Sequence, residues 1–235
     1  MSSQSEDNAP AMQGREIRSY VLRSGRGTSA QQRAYKNLSR DYLINFANDA
    51  VNFQNIFENE FPVIAEIGFG MGDATAVIAA ENPEKNYFGI EVHKPGIGKL
   101  LLEIEKRSLS NVRIIEHDAT EVFEKMIPTN SLDGIHIFFP DPWPKKRHHK
   151  RRLVKRPFSG VLESKLKPGG YLYMVTDWED YAGCALAELS ATENLANTFD
   201  NYAPHQDWRP RTGFEKKGLA KNHKVKELLF TKVKL

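Results

Sequence analysis

Short apolar runs alternate with amphipathic stretches from Pro62 onward, and the alternation sets the expected fold. Val63 to Ile67, Tyr87 to Glu91, Val112 to Ile115 and Gly134 to Phe139 are compact runs rich in β-branched and aromatic residues, and each reads as a buried strand. Tyr171 to Thr176 makes a fifth strand, and Val225 to Val233 a terminal one. The intervening segments predict helices at about 74–82, 94–108, 120–126, 153–167 and 179–190. Lys167-Pro168-Gly169-Gly170 reads as the stop and turn after the fourth of these. Strands that alternate with helices call for right-handed crossovers and a mainly parallel sheet, so the expected class is α/β.

Ahead of this region the pattern changes. Gln31 to Glu58 carries Tyr35, Leu38, Tyr42, Leu43, Phe46 and Val51 at mixed helical spacing, which predicts a helix, or a helix and a loop, over 31–58. Residues 1–30 hold Ser, Gln, Gly and scattered arginines (Arg15, Arg18, Arg23, Arg26) with little apolar surface to offset ordering, so a mobile basic arm is expected. The remaining 59–235 would be the main domain.

Composition narrows the function classes. With 235 residues and 40% hydrophobic residues, the chain suits one substantial core. Cys184 is the only cysteine, which removes disulfide and cysteine-rich zinc chemistry, and no histidine spacing suggests a metal site. Neither a membrane-spanning run nor a signal-peptide pattern is visible, so a cytoplasmic protein is expected, as monomer or homodimer. The net charge is only +3, so any attraction for a polyanion depends on where the cations sit.

Two segments carry the chemistry. Glu66-Ile67-Gly68-Phe69-Gly70-Met71-Gly72-Asp73 follows the first strand, where open parallel sheets bind nucleotide-like ligands. Glu91 closes the next strand roughly 20 residues later, where a carboxylate reaches ribose hydroxyls. Asp118, followed by Ala119, ends the third strand and is placed for an adenine amino group. A dinucleotide enzyme would use a similar turn. Asp73, however, stands where the dinucleotide fingerprint needs glycine or alanine, and its charge would repel a pyrophosphate at the helix N-terminus. S-adenosylmethionine has no phosphate and carries cationic groups, so an acidic turn with Glu66, Gly68, Gly70 and Gly72 favours it as cofactor. Each acid could instead be a helix cap or a solvated strand end. Their recurrence after three successive strands favours the joint reading.

The second segment is Phe139-Pro140-Asp141-Pro142-Trp143-Pro144-Lys145-Lys146-Arg147-His148-His149-Lys150-Arg151-Arg152, and no acidic residue occurs from Pro142 to Leu162. A local field of this kind suits a nucleic-acid backbone. A solvated loop or a basic membrane-contact run are the plainer alternatives. For Trp143, base stacking and packing beneath the loop are both open, and Trp178 and Trp208 read as core or loop packing.

This run, with Glu66-Ile67-Gly68-Phe69-Gly70-x-Gly72, Gly89-Ile90-Glu91-Val92-His93 and Val175-Thr176-Asp177, resembles the signature of the bacterial tRNA (guanine-N7)-methyltransferases. The resemblance implies a class I, Rossmann-like methyltransferase fold: a mainly parallel seven-stranded sheet with an antiparallel last strand and helices on both faces. It implies methyl transfer from S-adenosylmethionine to N7 of guanosine 46 in tRNA. It places Glu66, Glu91, Asp118 and Asp141 at the cofactor or catalytic centre, with Asp141 as the catalytic candidate. Lys145, Asp177, Thr212 and Glu215 would contact substrate, and Arg147, His148, His149, Lys150, Arg151 and Arg152 would meet RNA. Gly213 departs from the family pattern, so a side-chain role there is lost. The rival readings are a nicotinamide oxidoreductase and a non-catalytic RNA-binding module.

Overall fold

A computed structural model describes residues 18–21, 25–220 and 224–234. Most of the arm expected at 1–30 therefore lies outside the described residues. The elements run α1 (Ser29–Tyr42), α2 (Phe53–Phe57), β1 (Val63–Ile67), α3 (Asp73–Glu81), β2 (Asn86–Glu91), α4 (Lys94–Arg107), β3 (Val112–Glu116), α5 (Ala119–Lys125), β4 (Leu132–Phe138), a 3₁₀ turn (Lys146–Arg151), α6 (Phe158–Lys165), β5 (Leu166–Thr176), α7 (Glu179–Ser190), β6 (Leu195–Asn197), α8 (Gly213–Leu219) and β7 (Lys226–Lys232).

Seven strands form one sheet in the order β3-β2-β1-β4-β5-β7-β6. β1 to β5 are parallel, and β7 runs antiparallel between β5 and β6. The order reverses between β1 and β4, which opens a crevice at their carboxyl ends. Side chains alternate across the sheet as strand geometry requires. Ala65, Ile67, Phe88 and Ile90 join a core beneath α2, α5, α6 and α7, while Ile64, Tyr87 and Ile114 join another beneath α1, α3 and α4. Both faces are covered, which explains why the strands read as continuous apolar runs.

The N-terminal helical region is α1 and α2. Thr28 and Gln31 form a reciprocal capping box that starts α1. α1 lies against α4, where a β-carbon on Gly98 would come within 2.5 Å of the Gln31 carbonyl oxygen.

Three details differ from the sequence expectation. The helix expected at 153–167 is only α6, because Arg152 to Pro157 form an irregular connection. The expected turn Lys167–Gly170 is drawn into β5, where the pairing shifts register between Leu132 and Gly134 and Gly169 takes a φ of 85°. β6, α8 and the 3₁₀ turn are additional elements, all short. Among the described residues, no helix is long and apolar enough to cross a membrane.

Candidate active site and RNA-facing segment

Two adjoining cavities occupy the crevice at the strand ends. The smaller, about 360 Å³, is lined by Gly68, Gly70, Glu91, Ala119 and Asp141 among others. The larger, about 880 Å³, takes in Glu66, Asp73, Asp141, Asp177, Trp178 and Thr212. They share Gly68, Gly70, Met71 and Phe139 to Asp141, so the crevice is one continuous cleft with Asp141 at the junction. Both volumes fall in the range of roughly 300–1,000 Å³ usual for ligand sites.

The turn between β1 and α3 builds the floor. Gly68 and Gly70 have φ of 71° and 60°, a conformation that costs little only for glycine. A β-carbon on either would meet nothing within 4 Å, so both face open cleft. Gly72 has a different role: a β-carbon there would strike the Leu100 side chain at 2.7 Å, so this glycine lets α3 pack on α4.

The carboxylates divide by environment. Glu66 is 2% exposed, and its Oε2 has no hydrogen-bond partner among the described residues. Burial, and after it the charge of Glu91, pushes its carboxyl up to about 7. A buried, partnerless carboxylate oxygen beside an open glycine turn fits a cationic, phosphate-free cofactor. Asp73 at the first position of α3 adds a second carboxylate, 3.7 Å from the Lys99 ammonium. Glu91 is fixed by the backbone: its Oε2 accepts from Gly70 N–H at 2.8 Å, and its Oε1 from Val92 and His93 N–H at 2.7 and 3.0 Å. Three of its lone pairs are taken, which aims the remaining one. Asp118 is the N-cap of α5, with Oδ1 accepting from Thr120 and Glu121 N–H. Ala119 lines the smaller cavity, and Asp118 is not among its lining residues.

After β4 the chain turns sharply. Phe139 N–H still pairs with the Val175 carbonyl at 2.8 Å, but Phe139 and Trp143 adopt φ of 50° and 48°. Such left-handed backbone at non-glycine residues costs about 1–3 kcal/mol each. Two strained residues thus bracket the Pro-Asp-Pro corner and hold Asp141 over the cleft.

The cationic segment separates into outward and inward members. Lys145, Lys146, Arg147 and Lys150 are exposed, and His148, His149 and Arg151 are half-buried. Arg151 lies 5.0 Å over the Trp143 ring, and the Trp143 indole N–H donates to the Ser19 carbonyl at 3.0 Å. Trp143 therefore packs beneath its own loop and against the arm. Arg152 is turned inward at 4% exposure, donating to the Pro142 carbonyl, the Cys184 sulfur and Asp180, with Tyr181 under its guanidinium. The structure sets it apart from the RNA-facing group in which the sequence reading placed it.

Thr212 and Gly213 reach the larger cavity, where Thr212 caps α8 by accepting from Glu215 N–H at 3.1 Å. Glu215 itself points away into the core. Its two oxygens receive both terminal nitrogens of Arg209 at 2.6 and 2.9 Å, and Arg209 also holds Glu227 at 2.7 Å. His205, Glu215 and Glu227 bring ligand atoms within 4.8 Å of one another, but the Arg209 guanidinium already bridges the two carboxylates.

Several cleft residues went unread in the sequence: Ser19 to Val21 of the arm, Met71, His93, His117 and Leu153. His93 and His117 sit just beyond the ends of β2 and β3, which is the signal that could have found them.

Residues 60–228 match a family model described as "Putative methyltransferase". The chain is 53% identical over 216 residues to a tRNA (guanine-N(7)-)-methyltransferase of Nitrosomonas eutropha, covering 92% of this chain and 96% of that one. It is 49% identical over 222 residues to the tRNA (guanine-N(7)-)-methyltransferase of Paraburkholderia xenovorans, covering 94% and 85%. Among solved structures, the 16S rRNA methyltransferase KamB superposes with a TM-score of 0.58 at 14% identity, over 77% of this chain and 93% of that one. A 16S rRNA (adenine(1408)-N(1))-methyltransferase from Catenulisporales acidiphilia, solved with its cosubstrate SAM, superposes with a TM-score of 0.51 at 14% identity, over 76% and 88%. These two likenesses concern the fold.

Proposed function

The chain belongs to the tRNA (guanine-N(7)-)-methyltransferase family, and from that premise we propose that it transfers a methyl group from S-adenosylmethionine to N7 of the guanosine at position 46 of tRNA. It is an enzyme, a methyltransferase acting on guanine N7 in tRNA. The observation that carries the finer reading is a single cleft lined by a buried carboxylate with one unpartnered oxygen, Glu66, with Asp141 at its junction, from which the chain runs directly into Lys145 to Arg151.

In this reading Gly68, Gly70, Glu66, Glu91 and Ala119 hold the cofactor, and Asp118 fixes the helix start that presents Ala119. S-adenosylmethionine, when bound, supplies an electrophilic methyl group on a cationic sulfur. Guanine N7 has an in-plane lone pair already, so no side chain has to remove a proton first. The residues orient the base instead, and alignment alone lowers barriers by roughly 7–11 kcal/mol in favourable systems. Asp141, with Asp177 beside it in the larger cavity, accepts from N1–H and the 2-amino group of guanine. Adenine offers neither donor, and a carboxylate there also steadies the positive charge that the methylated base acquires. Thr212 faces the same cavity, while Glu215 holds α8 in place through Arg209.

Lys145, Arg147 and Lys150 meet phosphates, with His148, His149 and Arg151 at the margin, and Arg152 anchors the segment from within. Residues 59–235 form the catalytic domain, 31–58 a helical region packed on it, and 1–30 an arm whose Ser19, at the smaller cavity, accepts from the Trp143 indole. The test is transfer of a labelled methyl group to bulk tRNA followed by nucleoside analysis. Label in 7-methylguanosine, lost when position 46 is not guanosine, is the expected result. Label in another nucleoside, or none, would overturn the reading.

A further inference from the structure

Five large apolar side chains are exposed among the described residues, and three of them, Val21, Met71 and Trp178, line the cleft. Trp178 is the largest of these and is 39% exposed. Ligand cavities are lined mainly by apolar and aromatic side chains, and an aromatic face left open to a cavity is available for stacking. The other two tryptophans are engaged: Trp143 by Ser19 and Arg151, and Trp208 by stacking on His136 at 5.0 Å and 24°. Among the described residues the Trp178 indole makes no hydrogen bond and no ring contact.

Its placement is specific. Trp178 follows Asp177 at the end of β5, lines the larger cavity together with Asp141 and Thr212, and is held by its backbone N–H donating to Thr176 Oγ1 at 3.2 Å. It is the N-cap residue of α7, yet its side chain takes no part in the cap. The backbone is thus fixed by its neighbours and the indole is left to the cleft.

A guanine delivered into a recessed cleft has to leave its neighbours in the RNA, and that unstacking must be offset. A carboxylate cannot offset it, because Asp141 and Asp177 engage the base edge in its own plane. An aromatic face can, since stacking uses the surface of the ring and leaves the edge free. We infer that Trp178 is the platform on which the target guanine stacks once it has left its own base stack. This rests on the reading above that guanine is the substrate. The two contacts divide the work: Trp178 accepts any base by its face, and the carboxylates select guanine by its edge.

The test compares Trp178→Ala and Trp178→Phe with the parent enzyme, and removing the indole leaves the α7 cap untouched. Single-turnover methylation of tRNA below saturation should fall by about 5- to 150-fold in Trp178→Ala, matching the loss of one base stack. Trp178→Phe should recover most of it, and cofactor affinity and the salt dependence of tRNA binding should not change. Quenching of tryptophan emission by tRNA should be clearly smaller in Trp178→Phe than in the parent, the remainder coming from Trp143 in the RNA-facing segment. Parent-like turnover in Trp178→Ala, failure of phenylalanine to rescue, or unaltered quenching in Trp178→Phe each overturns the assignment. The emission arm needs no chemistry, so the two readings separate. Position-178 quenching without methyl transfer would sink the proposed activity and keep the platform.

Discussion

The carbonyl oxygen of Gly70 fills the position that a β-carbon on Gly96 would take, only 1.9 Å away. The first turn of α4 is therefore pressed against the glycine turn that floors the cleft, and no side chain fits between two backbones. Gly96→Ala must push that turn into the cavity or tilt α4. The expected outcome is a loss of about 1–3 kcal/mol of stability, typical of overpacking, together with weakened S-adenosylmethionine binding in calorimetry. Gly98→Ala is the control. Its β-carbon would meet Gln31 under α1, away from the cavity, so melting temperature should fall with cofactor affinity retained.

The place proposed for Glu66 at the cofactor predicts that binding depends on pH. Its folded carboxyl titrates near 7 because of burial, against an ordinary value of 4.5. A raised carboxylate costs nothing at pH values below 4.5, where it is protonated in both states; the cost builds between about 4.5 and 7 and stays at its full value above that. Glu66→Gln removes it, so the free variant should be more stable than the parent at pH 8, by up to about 3 kcal/mol. Binding a cation recovers the charge. Parent affinity for S-adenosylmethionine should therefore rise between about pH 6 and 8, whereas Glu66→Gln should bind weakly with a flat profile. A parent profile that is flat over that range would show that Glu66 is not paired with the cofactor.

Most of this frame is legible in the sequence because β1 to β5 are buried on both sides and announce themselves as apolar runs. β6 escapes, since Leu195 is the lone buried apolar residue in its three positions. α8 opens on Gly213 and spans two turns, too little for a period to show. The site was readable as residue types but not as partners. Arg147 and Arg152 look alike in the chain, yet one is exposed and the other is buried on Tyr181 and Asp180. Glu215 reads as a substrate carboxylate until Arg209 is seen to occupy it. Trp178 reads as core or loop packing although its neighbour Asp177 reads as a substrate contact, because an exposed indole and a buried one look alike in the chain.

That division among the arginines has a direct electrostatic test. Replacing Lys145, Arg147 and Lys150 with glutamine should weaken tRNA binding and flatten its dependence on salt, by about 0.9 in logarithmic slope for each phosphate contact removed. Arg152→Met should behave differently: with Asp180 and the Pro142 carbonyl released, the segment loses its anchor and melting temperature falls. A filter-binding slope left unchanged by the triple variant would place the segment off the RNA path.

Asp141 and Glu215 are both carboxylates near the cleft, and their variants should fail in opposite ways. Asp141 sits at the cavity junction on a corner already strained at Phe139 and Trp143, so Asp141→Asn keeps the shape and removes only the charge. Its single-turnover methylation should drop severely while cofactor affinity and melting temperature stay near the parent's. Glu215 is 3% exposed and paired with Arg209, which is 1% exposed. Arg209→Met would leave Glu215 an unpaired buried charge and Glu227 with only Tyr173 and His205, a defect worth about 3–5 kcal/mol, or roughly 10 °C in a chain of this size. Glu215→Gln should give a smaller drop in the same direction and should lower turnover only as α8 and Thr212 lose their position. Near-normal turnover in Asp141→Asn would remove it from base recognition. A Glu215→Gln variant that melts like the parent but binds tRNA guanine poorly would return Glu215 to the substrate site.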